Sequence, residues 1–176
     1  GDVGLVYCAN LAMVDALMPD GAIATLGSPD AGGIFVAGDP ETYCTTSPNS
    51  VGSGAVMSWD GSTSLAANDL TLQSLNCPPG QFGIFFYGPD DANLPLGDGT
   101  LCVGPGGLCL FRLPVVLTSV FGIASYTLDY TQPPLDTGSG AVMAGTVMNF
   151  QHWYRDSGST GAGYNLSNGL RVTFAP

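Results

Sequence analysis

The chain has 176 residues, of which 45% are hydrophobic and only 10% charged, and it contains no lysine. This composition excludes a disordered chain, which combines low hydrophobicity with high charge. The formal net charge of −11 excludes binding to nucleic acids and anionic membranes, because both are bound through clusters of Lys and Arg. The 26 glycines and 13 prolines lie between short apolar runs and predict many turns and many short strands, hence an all-β domain.

The first part of the chain, residues 1–41, reads as an apolar extension that precedes a domain over 42–176. It opens with DVGLVYCANLAMVDALM and continues with two candidate strands, 21–26 and 32–38. Val3–Tyr7 alternates as a strand does, whereas Leu11–Met18 fits a helix as well, since a short apolar run has no diagnostic period. Such a segment is expected to pack either on its own domain or on a neighbouring copy.

From Tyr43 onward, short apolar runs alternate with turn signals. This spacing predicts an antiparallel β-sandwich or jelly roll, with the extension as an additional strand. The candidate strands are 54–59, 63–67, 69–75, 82–87, 100–104, 108–113, 121–130, 141–155 (bent or bulged) and 169–175.

Cysteine usage indicates an oxidising compartment, and therefore a secreted or cell-surface protein. The chain starts at Gly1 without a Met, so we expect that a signal peptide has been removed. No apolar run reaches the ~18–20 residues that cross a bilayer, so no membrane span is expected. Of the five cysteines, Cys102 and Cys109 flank the turn VGPGGL and are favoured as a disulfide, while the partners of Cys8, Cys44 and Cys77 stay open.

The sequence lacks the combinations of residues that common active sites require. His152 is the single histidine and thus the only candidate base of a hydrolase, and there is no G-x-S-x-G elbow. Without Lys there is no P-loop and no Schiff base, and without C-x-x-C there is no usual zinc site. We therefore expect no enzymatic activity, no catalytic residue and no cofactor. A hydrolase acting through a pair of Asp residues is the least favoured alternative.

The stretch NFQHWYRD, residues 149–156, is interpreted as a structural strand. Alternation places Phe150, His152 and Tyr154 on one face, and the side chains between and after them on the other. Trp153 is expected to be buried, and Arg155 to pair with a carboxylate. Asp156 would cap the bend that follows.

Calcium is the one metal worth considering. The segment DDANLPLGDG contains four oxygen donors that a hard cation accepts, Asp90, Asp91, Asn93 and Asp98. Their spacing does not match an EF-hand, and a solvated acidic hairpin loop is the favoured interpretation.

Covalent glycans are a further candidate. Asn165 starts an N-x-S sequon, and Thr45, Thr46 and Ser47 offer hydroxyls beside a proline. By composition, these segments also read simply as loops.

Residues from Tyr43 to the end carry an ordered set of motifs. They include YCTTSPNS, LAANDLTL, CPPGQFGIFFYG, LPLGDGTLCVG, FRLP, ASYTLDY and NFQHWYRD…GYNLSNGLRVTF. This set resembles C-terminal modules of large secreted and cell-surface bacterial proteins. The resemblance implies a secreted β-sandwich without established catalytic residues. In that pattern an aromatic or small residue commonly replaces His152, and FCP commonly replaces FAP. The resemblance therefore implies that Ala175 leaves one thiol unmatched, with Cys44 the candidate and Cys8 a replacement partner.

These observations lead to two functional hypotheses. The first is a non-enzymatic structural subunit of an extracellular filament or surface layer. Its partners are copies of itself, which it would bind by donating a strand to the next subunit. The donated positions are Val3, Leu5, Tyr7, Leu11, Met13 and Leu17. The alternative is a carbohydrate-binding or adhesion module, with stacking faces from Trp59, Trp153, Tyr87 and Tyr154.

Overall fold

Short antiparallel strands make up the domain. The computed structural model describes residues 38–176, and these contain eleven strands and a 3₁₀ turn at Gly138–Gly140. The strands are β1 (Glu41–Tyr43), β2 (Val56–Asp60), β3 (Thr71–Leu75), β4 (Phe82–Gly88), β5 (Asp90–Leu96), β6 (Gly99–Gly104), β7 (Phe111–Leu117), β8 (Ala124–Thr127), β9 (Val147–Arg155), β10 (Tyr164–Leu166) and β11 (Gly169–Thr173).

Two sheets form the sandwich. The large sheet has the order β1-β11-β9-β4-β7, and β10 pairs with the far end of β9. The small sheet has the order β2-β3-β8, and every paired strand in both sheets is antiparallel. The all-β antiparallel sandwich that the turn spacing predicts is therefore confirmed for the described residues.

The core lies between the two sheets. The large sheet contributes Phe85, Tyr87 and Phe150, and the small sheet contributes Leu72 and Ala124, all of them fully buried. Apolar side chains at alternate positions of each strand make this interface possible, because successive residues of a strand point to opposite faces.

A two-stranded hairpin, β5–β6, packs against the outer face of the large sheet. Val103 of the hairpin is buried together with Phe86 of β4 and Leu166 of β10. The hairpin backbone is held by the buried Gln151 of β9. Its Oε1 accepts from Cys102 N at 2.9 Å, and its Nε2 donates to the Thr100 carbonyl at 2.8 Å.

Several predicted strand boundaries were wrong. The segment DDANLPLGDG, predicted as a solvated acidic hairpin loop, instead contains the strand β5. Its Pro95 is tolerated because β5 is an edge strand of the two-stranded hairpin. The predicted strand 63–67 is a turn with a single parallel bridge from Ser64 to Ala175. The long candidate strand 141–155 becomes a strand only at Val147, because residues 141–146 are irregular and contain a turn at 144–145.

The predicted Cys102–Cys109 disulfide is also wrong. Cys102 bonds to Cys44, with Cα atoms 6.1 Å apart. The pairing β1–β11 brings Cys44 next to the hairpin, where the Tyr43 hydroxyl donates to the Cys102 carbonyl at 2.8 Å. The disulfide partner of Cys102 is therefore determined by the pairing of strands in the sheet and not by closeness in the sequence. Cys44 is consequently not the unmatched thiol, and the free cysteine among the described residues is the buried Cys77.

Predictions for the extension fall on residues that the structure does not describe. They comprise the candidate strands and helix of 1–37 and the cysteine at position 8. Within residues 38–176, no helix is long and apolar enough to cross a bilayer.

Candidate functional site

His152, the only candidate base, lies in the interior of the sandwich. Its ring is fully buried and stacks on Phe85, with ring centroids 4.4 Å apart. Its Nε2 has no hydrogen-bond partner and faces the backbone of Gly83, where a Cβ atom would collide with it. Gly83 is therefore required for the close approach of the ring, and the site has no room for a substrate at Nε2.

Cys77 is the nearest reactive group to His152. Its Sγ lies 3.7 Å from His152 Nδ1 and 3.2 Å from Ser74 Oγ. Burial raises the pKa of the Cys77 thiol to about 11 and lowers the pKa of His152 to about 3. Nucleophilic catalysis needs a thiolate and an available base, so both shifts oppose it.

The alternation predicted for residues 149–156 is found in β9. Phe150, His152 and Tyr154 are buried, and Phe150 belongs to the core between the sheets. Trp153 is half-buried on the outer face instead of lying in the core, so that part of the prediction was wrong.

The two charged residues that follow Trp153 also differ from prediction. Arg155 is exposed, and no described carboxylate forms a salt bridge with it. Asp156 is fully buried and its Oδ2 accepts from the Ser50 backbone N–H at 2.9 Å, so its side chain holds another loop. The bend itself is closed by the backbone of Asp156, which accepts from Ser159 N.

An apolar groove lies on the outer face of the large sheet. We call it the outer groove, and its volume is about 380 Å³. It lies between the sheet and the β5–β6 hairpin, within the size range of small-molecule and peptide-side-chain pockets. Its lining residues are Ile84, Phe86, Leu96, Leu101, Leu110, Arg112, Trp153, Tyr164 and Leu166.

The apolar surface continues from the outer groove to the edge of the sheet. Strand register aligns Leu166, Trp153, Ile84 and Val115 in one row across four strands. The neighbouring pair on β4 and β7, Phe82 and Leu117, extends the surface by one more row.

The end of this surface is open to solvent. Phe82 is 56% exposed, Leu117 57% and Val115 60%. Within residues 38–176, β7 is the last strand of the large sheet and pairs with β4 alone. An edge strand with exposed apolar side chains is a template for pairing with another chain.

Sequence reasoning missed this site, although a signal for it exists. The runs GIFFYG in β4 and FRLPVVL in β7 are apolar at almost every position. A strand that is apolar on both faces is expected to be covered on both faces. Among the described residues the core covers the inner face, while Val115 and Leu117 stay exposed on the outer face, so the same runs point to a second contact there.

The four calcium candidates, all on or beside the hairpin, make different contacts. Asp91 forms a salt bridge with Arg171 at 3.5 Å, and that guanidinium also lies over the Tyr43 ring. Asp98 accepts hydrogen bonds from Ser159 Oγ and Ala162 N, which lower the pKa of Asp98. Asp90 and Asn93 are exposed on β5. Asp91 and Asp98 thus hold parts of the fold together.

The candidate glycan sites differ in access. Asn165 is fully buried, and its amide nitrogen donates to the Pro48 carbonyl at 2.9 Å, so this sequon is closed in the folded domain. Thr46 is half-buried with its hydroxyl enclosed, and Ser47 is half-buried. Thr45 is exposed and remains the accessible member of the set.

The aromatic residues proposed for carbohydrate stacking are mostly unavailable. Tyr87 and Tyr154 are fully buried, and Trp59 packs against the core from the small sheet. Trp153 remains, at the outer groove beside Tyr164, with ring centroids 5.6 Å apart.

The six assembly positions, Val3, Leu5, Tyr7, Leu11, Met13 and Leu17, lie outside the described residues. No family model, curated protein or solved structure matches the chain. The resemblance of residues 43–176 to bacterial surface modules therefore stays a prediction.

Proposed function

We propose that the protein is a secreted, non-enzymatic structural subunit that assembles into an extracellular filament or surface layer. Each subunit donates an extended apolar segment within Val3–Leu17 to another copy. The observation that supports this function best is the edge strand β7, whose exposed Val115 and Leu117 lie in line with the outer groove. Such an edge accepts a strand through backbone hydrogen bonds, and adjacent pockets select alternate side chains.

The interior of the domain supports a structural role as well. Burial favours the neutral forms of His152 and Cys77 and leaves neither side chain accessible to a substrate. The Cys44–Cys102 disulfide is compatible with an oxidising, extracellular environment. Donation from one copy to the next does not close on itself, and it therefore produces filaments.

The alternative function, a carbohydrate-binding or adhesion module, keeps one supporting observation. Trp153 and Tyr164 present two rings at the outer groove. Sugar binding also needs polar groups that fix the hydroxyls. Apart from Tyr164, Arg112 is the polar side chain in the described lining, so assembly is the favoured function.

Electron microscopy of the full-length chain tests the proposal directly. Wild type is expected to form filaments or sheets. Replacing Val3, Leu5 and Tyr7 by Ser should leave a monomer by light scattering, and this variant keeps Cys8 in place. The matched control is His152→Ala, which changes a buried residue and is expected to assemble. A wild-type chain that stays monomeric at high concentration contradicts the proposal, and so does assembly of the triple variant.

A further inference from the structure

We infer that the donated segment of one copy docks along β7 of another, with its apolar side chains over Val115 and Leu117 and towards the outer groove. This inference rests on the proposed function and adds the acceptor surface to it. The structure assigns that surface through three independent features: an uncovered apolar row, the placement of positive charge, and the position of β7 in the sheet.

The apolar row is exposed at its β7 end. Across the sheet, Leu166 is buried, Trp153 and Ile84 are half-buried, and Val115 is 60% exposed. A strand added beside β7 would place alternate side chains next to Val115 and Leu117 on this face. The alternation of Val3, Leu5 and Tyr7 supplies apolar side chains at this period.

Charge on the two surfaces is complementary. Residues 1–37 contain four aspartates, at positions 2, 15, 20 and 30, and neither Lys nor Arg. Strand register places Arg112 and Arg155 on the outer face, and of these two the exposed Arg155 forms no salt bridge with a described carboxylate. Arg171, the third, contacts Asp91 and Tyr43 near the opposite edge. Complementary charge of this kind mainly speeds encounter and selects the correct partner.

The position of β7 allows a donor from a neighbouring copy. The described chain begins next to β1, which is the opposite edge of the large sheet. Four strand spacings separate these edges, roughly 19 Å at ~4.8 Å each. Twenty residues, 18–37, extend to roughly 66 Å at ~3.3 Å per residue. By its length, the segment can reach β7 of another copy. The experiment must therefore distinguish binding to β7 of another copy from binding to β7 of the same chain.

The experiment uses two full-length variants. The donor variant carries Val3→Ser, Leu5→Ser and Tyr7→Ser, and the acceptor variant carries Val115→Asp and Leu117→Asp. The matched control is Val51→Asp, because Val51 is 54% exposed and lies away from the outer face. Each variant alone is expected to lose assembly at least tenfold, whereas the control assembles as wild type does. A one-to-one mixture should give discrete dimers in size-exclusion chromatography with light scattering, since one intact donor meets one intact acceptor.

A peptide covering residues 1–20, with Cys8 replaced by Ser, checks that loss of assembly does not come from misfolding. Added to the donor variant, it should shift the emission of Trp153, which lines the outer groove. A chain carrying both sets of substitutions should show no shift and an unchanged melting temperature. An absent shift in the donor variant overturns the inference, as does an equal shift in the combined variant.

The remaining outcomes separate the inference from the proposed function. Assembly by the acceptor variant, with none by the donor variant, overturns β7 as the acceptor and leaves strand donation standing. Assembly by the donor variant overturns both. Monomers in both variants, with no dimers on mixing, overturn donation between copies and place the segment on its own domain.

Discussion

The Nδ1 atom of His152 lies 3.7 Å from the Sγ atom of Cys77, and both side chains are enclosed by the sandwich. In composition the pair matches the thiol and imidazole of a cysteine hydrolase. In environment it is the opposite, because burial favours the neutral form of each group. The same two residues thus separate a catalytic interpretation from a structural one, and their chemistry is directly measurable.

The reactivity of Cys77 gives the first prediction. Burial raises the pKa of the thiol to about 11, and the residue is 1% exposed. Iodoacetamide at pH 7 is therefore expected to leave Cys77 unmodified in the native protein and to alkylate it after denaturation, as read by peptide mass spectrometry. The denatured sample is the control for reagent and digestion. Rapid labelling of the native protein at neutral pH would contradict the structural interpretation.

The pH dependence of stability gives the second prediction. Burial lowers the pKa of His152 to about 3, below the ~6.5 of an unfolded histidine. The unfolded chain therefore binds a proton that the folded chain does not, between about pH 6.5 and pH 3. The free energy of unfolding should fall with acidification in that window, by up to about 1.4 kcal/mol per pH unit.

Replacing the histidine isolates its contribution. His152→Gln removes the titrating group, so its unfolding free energy should change less between pH 6.5 and 4 than that of wild type. Urea denaturation at a series of pH values, followed by tryptophan fluorescence, measures both curves. Superimposable pH dependences would show that the ring is not protonated on unfolding and would count against its burial. Asp98 and Asp129, whose pKa values are lowered, are present in both proteins, so their contributions to the pH dependence cancel in the comparison.

The fold class and the alternation of side chains in β9 could be predicted from the sequence. Turn spacing predicts an antiparallel sandwich because Gly and Pro mark the ends of short strands whatever their order in the sheet. Alternation in NFQHWYRD predicts which side chains share a face because the period of a strand is local. Both predictions needed only neighbours along the chain, and both hold for residues 38–176.

Features that depend on distant parts of the chain were predicted poorly. Cys102 pairs with Cys44, 58 residues away, because β1 joins the sheet beside β11. Trp153 is directed to the outer face. The β5–β6 hairpin covers this face, although the composition of its first strand is typical of a turn. The groove could not be located from sequence, since its position depends on the order of strands in the sheet.

Gln151 gives the third prediction, because it joins the hairpin to the large sheet. Its side chain accepts from Cys102 N and donates to the carbonyls of Thr100 and Ser167. At about 1 kcal/mol per hydrogen bond, Gln151→Leu should lower the free energy of unfolding by about 3 kcal/mol. Hydrogen exchange of the Cys102 amide should accelerate more than exchange in β3.

The control for this change is Gln73→Leu, on the half-buried part of β3, where no side-chain hydrogen bond is found among the described residues. It is expected to shift stability by less than about 1 kcal/mol. Equal effects of the two substitutions would mean that the hydrogen bonds of Gln151 do not contribute to holding the hairpin.

The Cys44–Cys102 disulfide gives the last prediction. It links residues 58 positions apart, and a loop of this size is expected to stabilise the fold by about 4 kcal/mol through the reduced entropy of the unfolded chain. Cys44→Ser combined with Cys102→Ser should lower the melting temperature accordingly. Because the bond attaches the hairpin that covers the outer groove, the same variant should also assemble less well than wild type.

Cys77→Ser is the matched control, since it changes a buried cysteine that is not bonded and lies on the inner side of the sandwich. Peptide mapping without reduction must recover residues 44 and 102 in one linked species, and a linked species of 102 with 109 would contradict the structure.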